Sequence, residues 1–142
     1  MSARWNLHAA AAILLAAGAA HAQTIPNAGL GRHDYHALCA SCHAAIGKGD
    51  GEKAASLTKP PADLTQLAKS NGGTFPAERV RAIIDGRSAG IAAHGKRDMP
   101  IWGQEYRAEL AQGGGAKAAN PEAYVAGRID ALLAYLASIQ AK

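Results

Sequence analysis

Sulfur is scarce in this chain. It holds two cysteines, Cys39 and Cys42, and two methionines, Met1 and Met99. Two thiolates fall short of the four ligands of a structural zinc site, and no second C-x-x-C or H-x3-H cluster completes the set. Basic runs are short as well. None exceeds Lys96-Arg97, and aromatic residues do not interleave with cations, so the footprint of a nucleic-acid binder is missing. No apolar run reaches the ~20 residues of a comfortable transmembrane helix. Strand-like alternation of useful length and internal repeats are both absent, which sets aside β and solenoid architectures.

The longest apolar stretch stands at the front. Met1 to Asn6 carries one cation, Arg4. Leu7 to Ala20 is almost wholly Ala, Ile and Leu, interrupted by His8 and Gly18, and Ala20-His21-Ala22 supplies the small residues of an A-x-A cleavage site. This is a secretory signal pattern. We read residues 1–22 as a signal peptide cleaved after Ala22, and residues 23–142 as one exported domain with a periplasmic location. The formal net charge is +4, one unit of which is Arg4. A domain this small gains modest stability from its own side chains, and an internal cofactor would enlarge its core.

Helical patterns account for most of the mature chain. Gln23 to Leu30, with Pro26 and Gly29, reads as an extended entry. Gly31 to Ala40 reads as a helix running into Cys39, with Tyr35 and Leu38 on one side. Gly47, Gly49 and Gly51 turn the chain sharply, and Lys59-Pro60-Pro61 cannot be helix interior. Asp63 is the expected cap of a short helix through Lys69, which Asn71-Gly72-Gly73 ends. Thr74 is the expected N-cap of the next helix, with Pro76 in its first turn, Val80, Ile83 and Ile84 at helical spacing, and Gly86 as its stop. Ser88 to Pro100 is irregular, Gln104 to Gln112 reads as a short helix, and a Gly-rich insert covers 112–120. The last helix is the clearest. Asn120 caps it, Pro121 opens it, and Val125, Ile129, Leu132, Leu133, Leu136 and Ile139 recur at steps of three and four. The fold class is all-α, with few helices and long loops, a composition suited to loops packed on a cofactor.

Cys39-Ala40-Ser41-Cys42-His43 reads C-x-x-C-H, the attachment signature of c-type haem. Two thiols add across two vinyl groups, and the imidazole that follows is placed to bind the iron. The competing uses are a disulfide, a zinc site drawing on His36 and His43, and a thioredoxin-like redox pair. The last needs a βαβ context, and no strand precedes Cys39. His43 is therefore the expected proximal ligand, its other nitrogen donating to a backbone carbonyl, with Pro60 or Pro61 in reach. Met99 is the one methionine that remains after signal cleavage. It sits in a loop before Pro100, with poor core neighbours in Arg97 and Asp98, and is the expected distal ligand; His94 is the runner-up. His33 and His36 lie on the helix feeding the attachment site and read as surface residues.

An early C-x-x-C-H, a Gly-rich turn, a late Met-Pro and a closing amphipathic helix together resemble a class I monohaem c-type cytochrome. The likeness runs from about Gly29 to Gln140, nearly the whole mature chain. Gly31 and Tyr35 resemble the small-plus-aromatic pair of that family's first helix, and Tyr135-Leu136 the part of its last helix that crosses there. Met99-Pro100-Ile101-Trp102-Gly103 resembles the ligand loop of a bacterial periplasmic branch, with Trp102 near a haem propionate. The resemblance implies a cytochrome c-like fold of about four or five short helices and long loops around one covalently attached haem c. It further implies cofactor binding by Cys39, Cys42, His43 and Met99, with His43 and Met99 on the iron. With both axial positions filled, the implied role is a one-electron carrier, not an enzyme, working between a redox donor and acceptor. The alternatives are a cytochrome subunit fixed to a dehydrogenase or oxidase, with the insert and Trp102 as contacts, and a haem enzyme or gas sensor with an open iron. Lys48, Lys53, Lys59, Lys69, Lys96 and Arg97 are expected around the haem, where they would steer acidic partners.

Overall fold

The computed structural model describes residues 27–87, 98–113 and 120–142. Residues 1–22, read above as a signal peptide, together with His94, Lys96, Arg97 and most of the Gly-rich insert, lie outside them. Among the described residues the chain is all-α, with no strand. Helix α1 (Ala28–Asp34) passes into a π turn (Tyr35–Cys39) and a last α-turn, α2 (Ala40–His43). Three short 3-10 turns follow, at Ala54–Ser56, Leu64–Gln66 and Lys69–Asn71. Then come α3 (Ala77–Asp85), α4 (Trp102–Ala111) and α5 (Pro121–Ser138). No helix among the described residues is long and apolar enough to cross a membrane.

Capping chemistry sets the boundaries. The Asn27 side chain accepts from the Leu30 N–H at 3.1 Å, so the first helix begins at Ala28 and not at Gly31. The extended reading of the entry is thus corrected for Ala28 to Leu30. Asn120 accepts from the Ala123 N–H at 3.1 Å and Pro121 opens α5, as expected. Asp63 does cap, through the Thr65 N–H, but only a 3-10 turn. Thr74 caps nothing. The cap position of α3 belongs to Pro76, whose ring fixes a pre-helical backbone without a side-chain bond. Gly86, left-handed at φ +80°, closes α3. Helix α4 starts at Trp102, two positions earlier than its polar pattern indicates. The buried Asp85 carboxylate sits over Gly103 in its first turn, where negative charge suits the helix dipole.

The core lies where α1, α3 and α4 meet α5. Val80, Ile84, Val125, Ile129, Leu132, Leu133 and Leu136 are buried there with Tyr35 and Tyr106. A Cβ on Gly31 would lie 1.9 Å from the Ala131 carbonyl oxygen, so α1 and α5 touch backbone to backbone. The crossing was expected at Tyr135-Leu136; the closest backbone approach to Gly31 lies one turn earlier, at Ala131-Leu132, with Tyr135 meeting Tyr35 one turn on. Tyr135 stacks against Tyr35, ring centroids 5.0 Å apart.

One ion pair lies deep in this core. Asp34, 1 % exposed, receives Arg128 Nε at 2.6 Å and Nη2 at 2.8 Å, and the Tyr106 hydroxyl donates to it at 3.1 Å. The guanidinium lies over the Tyr106 ring, 4.5 Å from its centroid. Bidentate geometry and a third donor satisfy a carboxylate that burial would otherwise make very costly. One residue from each of α1, α4 and α5 is thereby joined just before the π turn.

Candidate functional site

Cys39, Cys42 and His43 stand at i, i+3 and i+4 at the end of the first helical segment, a spacing that gathers side chains on one helical face. Cys39 is the last residue of the π turn, and Cys42 and His43 follow in α2. The Ala40 N–H bonds the Tyr35 carbonyl, adding one residue to that turn. Such bulges widen a helix and recur where side chains must be re-aimed. Tyr35, wholly buried on the core side, donates its hydroxyl to the Ala44 carbonyl at 2.7 Å.

A helix end leaves carbonyls without partners. Here the returning chain supplies them in order. The N–H groups of Lys53, Gly51 and Gly49 bond the carbonyls of Ser41 at 2.9 Å, Cys42 at 3.0 Å and His43 at 3.0 Å. That contact needs bare backbone, since a Cβ on Gly51 would lie 2.5 Å from the Ser41 oxygen. The reversal itself is at Ala44, with φ +62° and ψ 164°, the only non-glycine at positive φ among the described residues. Backbone of this kind is nearly confined to glycine and costs about 1–3 kcal/mol.

The His43 Nδ1–H donates to the Ala62 carbonyl at 3.0 Å. The expected carbonyl partner therefore exists, but it is Ala62 and not Pro60 or Pro61. This bond fixes the tautomer and leaves the Nε2 lone pair free to bind a metal. Burial pulls the imidazole below its ordinary value, opposed by the bond to the Ala62 carbonyl. The Cys39 thiol is pushed up to about 12, by burial first, then by Asp34 and Cys42. A thioredoxin-type nucleophile needs the opposite shift. His36, a zinc partner on paper, is exposed on the outer side of the helix, its ring 6.3 Å from that of Tyr135.

Met99 is half-buried and packs against the same core cluster as Cys39. Its segment is fastened on both sides. Asp98 Oδ2 accepts from the Thr58 N–H at 3.0 Å and from the Thr58 hydroxyl. That hydroxyl, the Thr58 and Lys59 N–H groups and the Lys59 charge hold Asp98 below the usual carboxylate range. On the other side the Ile101 side chain fills the space over Gly86, and Trp102 packs on the core as the first residue of α4. Of the basic residues expected around the site, Lys48 is bound to Thr65 at 3.0 Å and Asp63 at 3.4 Å, and Lys59 lies beside Asp98.

Sequence reasoning missed Ala44, Ala62, Thr58 and the role of Asp98. The bond between Thr58 and Asp98 spans 40 positions, and neither residue type carries a pattern that could announce it. Comparison with known families, curated proteins and solved structures finds no match to this chain.

Proposed function

We propose that this protein is a c-type cytochrome of the class I kind, a one-electron carrier exported to the periplasm. Haem c is to be held by thioether bonds from Cys39 and Cys42, with His43 and Met99 as axial ligands. The observation that carries the reading is the state of the motif. The His43 Nδ1–H is committed to the Ala62 carbonyl, and His43 closes the helical turn that starts at Cys39 and holds Cys42. The donor set fits the group. A partly buried sulfur at Cys39 suits a thioether, and the half-buried Met99 offers a thioether of its own. Bound there, haem supplies an iron that exchanges one electron, and His/Met ligation raises its potential relative to bis-His ligation.

The chain's own residues orient and enclose. Ala62 sets the imidazole plane, the Lys53-Gly51-Gly49 ladder closes the helix end, and Asp98 and Ile101 hold the Met99 segment. Two filled axial positions leave no place for a substrate, which makes the protein a carrier between a redox donor and acceptor and not an enzyme.

Expression in a host competent for haem attachment tests this. The expected product keeps its haem through acid-acetone extraction, loses it in Cys39→Ala/Cys42→Ala, and is low-spin when ferric. Met99→Ala should turn the ferric spectrum high-spin. Extractable haem, or a spectrum indifferent to Met99→Ala, refutes the reading.

A further inference from the structure

One loop, residues 57–62, touches both candidate axial segments. At one end the Ala62 carbonyl takes the His43 Nδ1–H at 3.0 Å. At the other, the Thr58 N–H and hydroxyl both bond Asp98, the residue before Met99. Between them stand Pro60 and Pro61, whose rings fix φ and stiffen the span. The loop is seated on the chain that leaves the attachment site. A Cβ on Gly49 would lie 2.4 Å from the Pro61 oxygen, and the Leu64 N–H bonds the Gly47 carbonyl at 2.7 Å.

We propose that this loop is a bracket that positions both axial ligands at once, with Thr58 and Asp98 as the positioning residues that keep Met99 in place. The proposal rests on the reading of His43 and Met99 as axial ligands. In the bracket's absence the Met99 segment loses the hydrogen bonds made through Asp98, and the packing of Met99, Ile101 and Trp102 is left to place the sulfur. A flexible thioether then competes poorly with an added ligand. Thr58 and Asp98 are both exposed, so loss of this charge-assisted hydrogen bond is expected to raise the affinity for a competing ligand about threefold.

The test compares wild-type holoprotein with Asp98→Ala, Thr58→Val and Thr58→Ser, using imidazole as the competing ligand. The sulfur-to-iron charge-transfer band reports Met99 ligation, and the Thr58 amide exchange rate reports the bracket without reference to haem. Asp98→Ala and Thr58→Val should bind imidazole about threefold more tightly, while Thr58→Ser, which keeps the hydroxyl, should match wild type. Covalent haem and helix content should be unchanged, which separates positioning from general destabilisation. The double variant should be no worse than Asp98→Ala, because both changes remove the same contact. If Asp98→Ala does not fold, Thr58→Val carries the test alone. Faster Thr58 exchange in Asp98→Ala with unchanged imidazole affinity overturns the ligand-positioning role, and unchanged exchange overturns the bracket itself. A wild-type protein with no band that depends on Met99 overturns the cytochrome reading, a failure distinct from either.

Discussion

Ala44 illustrates how much one residue can hold. It carries the reversal after His43 in a backbone state suited to glycine, and its carbonyl is the acceptor of the buried Tyr35 hydroxyl. Ala44→Gly removes the steric cost there and leaves the carbonyl bond intact. It should stabilise the fold by about 1 kcal/mol, the strain relief being partly offset by the greater freedom of glycine in the unfolded chain. A shift of the urea midpoint upward with an unchanged slope checks this. Arg128 shows the reverse case. Arg128→Met strands Asp34, which is 1 % exposed, and should cost about 3–5 kcal/mol. Adding Asp34→Leu should recover much of that loss, because the stranded charge and not the lost pair is the larger cost. A double variant as unstable as the single one would show that the pair itself carries the energy.

Among elements, α1 and α5 depend most on a single atom's absence. Gly31→Ala would drive a Cβ into the Ala131 carbonyl, with no flexible side chain to give way. Separation of the two helices should cost about 2–3 kcal/mol, readable in denaturant titration and in faster amide exchange along α5. The small residue at position 31 was legible in the sequence as a close approach; its partner was not. Periodicity locates an apolar face but does not say which turn of one helix meets which turn of another. Likewise the turn at Gly47, Gly49 and Gly51 was readable from composition, while the ladder they build on Ser41, Cys42 and His43 was not. Thr74 was misjudged for a related reason. Its type favours capping, yet Pro76 already imposes the entry geometry two residues later.

For the molecule as a whole, charge governs two expectations. Asp63 and Asp98 are held below the ordinary 3.8, chiefly by the hydroxyls of Thr65 and Thr58, and Glu122 below 4.5, chiefly by hydrogen bonds from Arg107. Between the folded and ordinary values the unfolded chain binds more protons, so stability is present above about pH 4.5 and declines as pH falls below it. All three groups are solvent-facing, and the slope should be modest. Asp98→Asn should flatten that acid limb in thermal melts taken across pH 2 to 6. A steeper limb would contradict the sign. The second expectation belongs to the proposed carrier. If the lysines of the site face an acidic partner, electron transfer slows as ionic strength rises; a rate indifferent to salt removes the steering idea.

By itself the sequence determined what local chemistry can determine. C-x-x-C-H, the Asn120-Pro121 start, the Gly86 stop and the apolar stripe of α5 are each complete within a few residues, so no partner is needed to read them. The all-α class follows from the same short-range patterns. Tertiary structure alone decided where distant groups meet: Ala62 on His43, Thr58 on Asp98, Ala131 on Gly31, and Arg128 on Asp34. These contacts join backbone atoms or common polar residues far apart in the chain. Their existence depends on how helices and loops pack, and packing is a property of the whole fold that no single window of sequence contains.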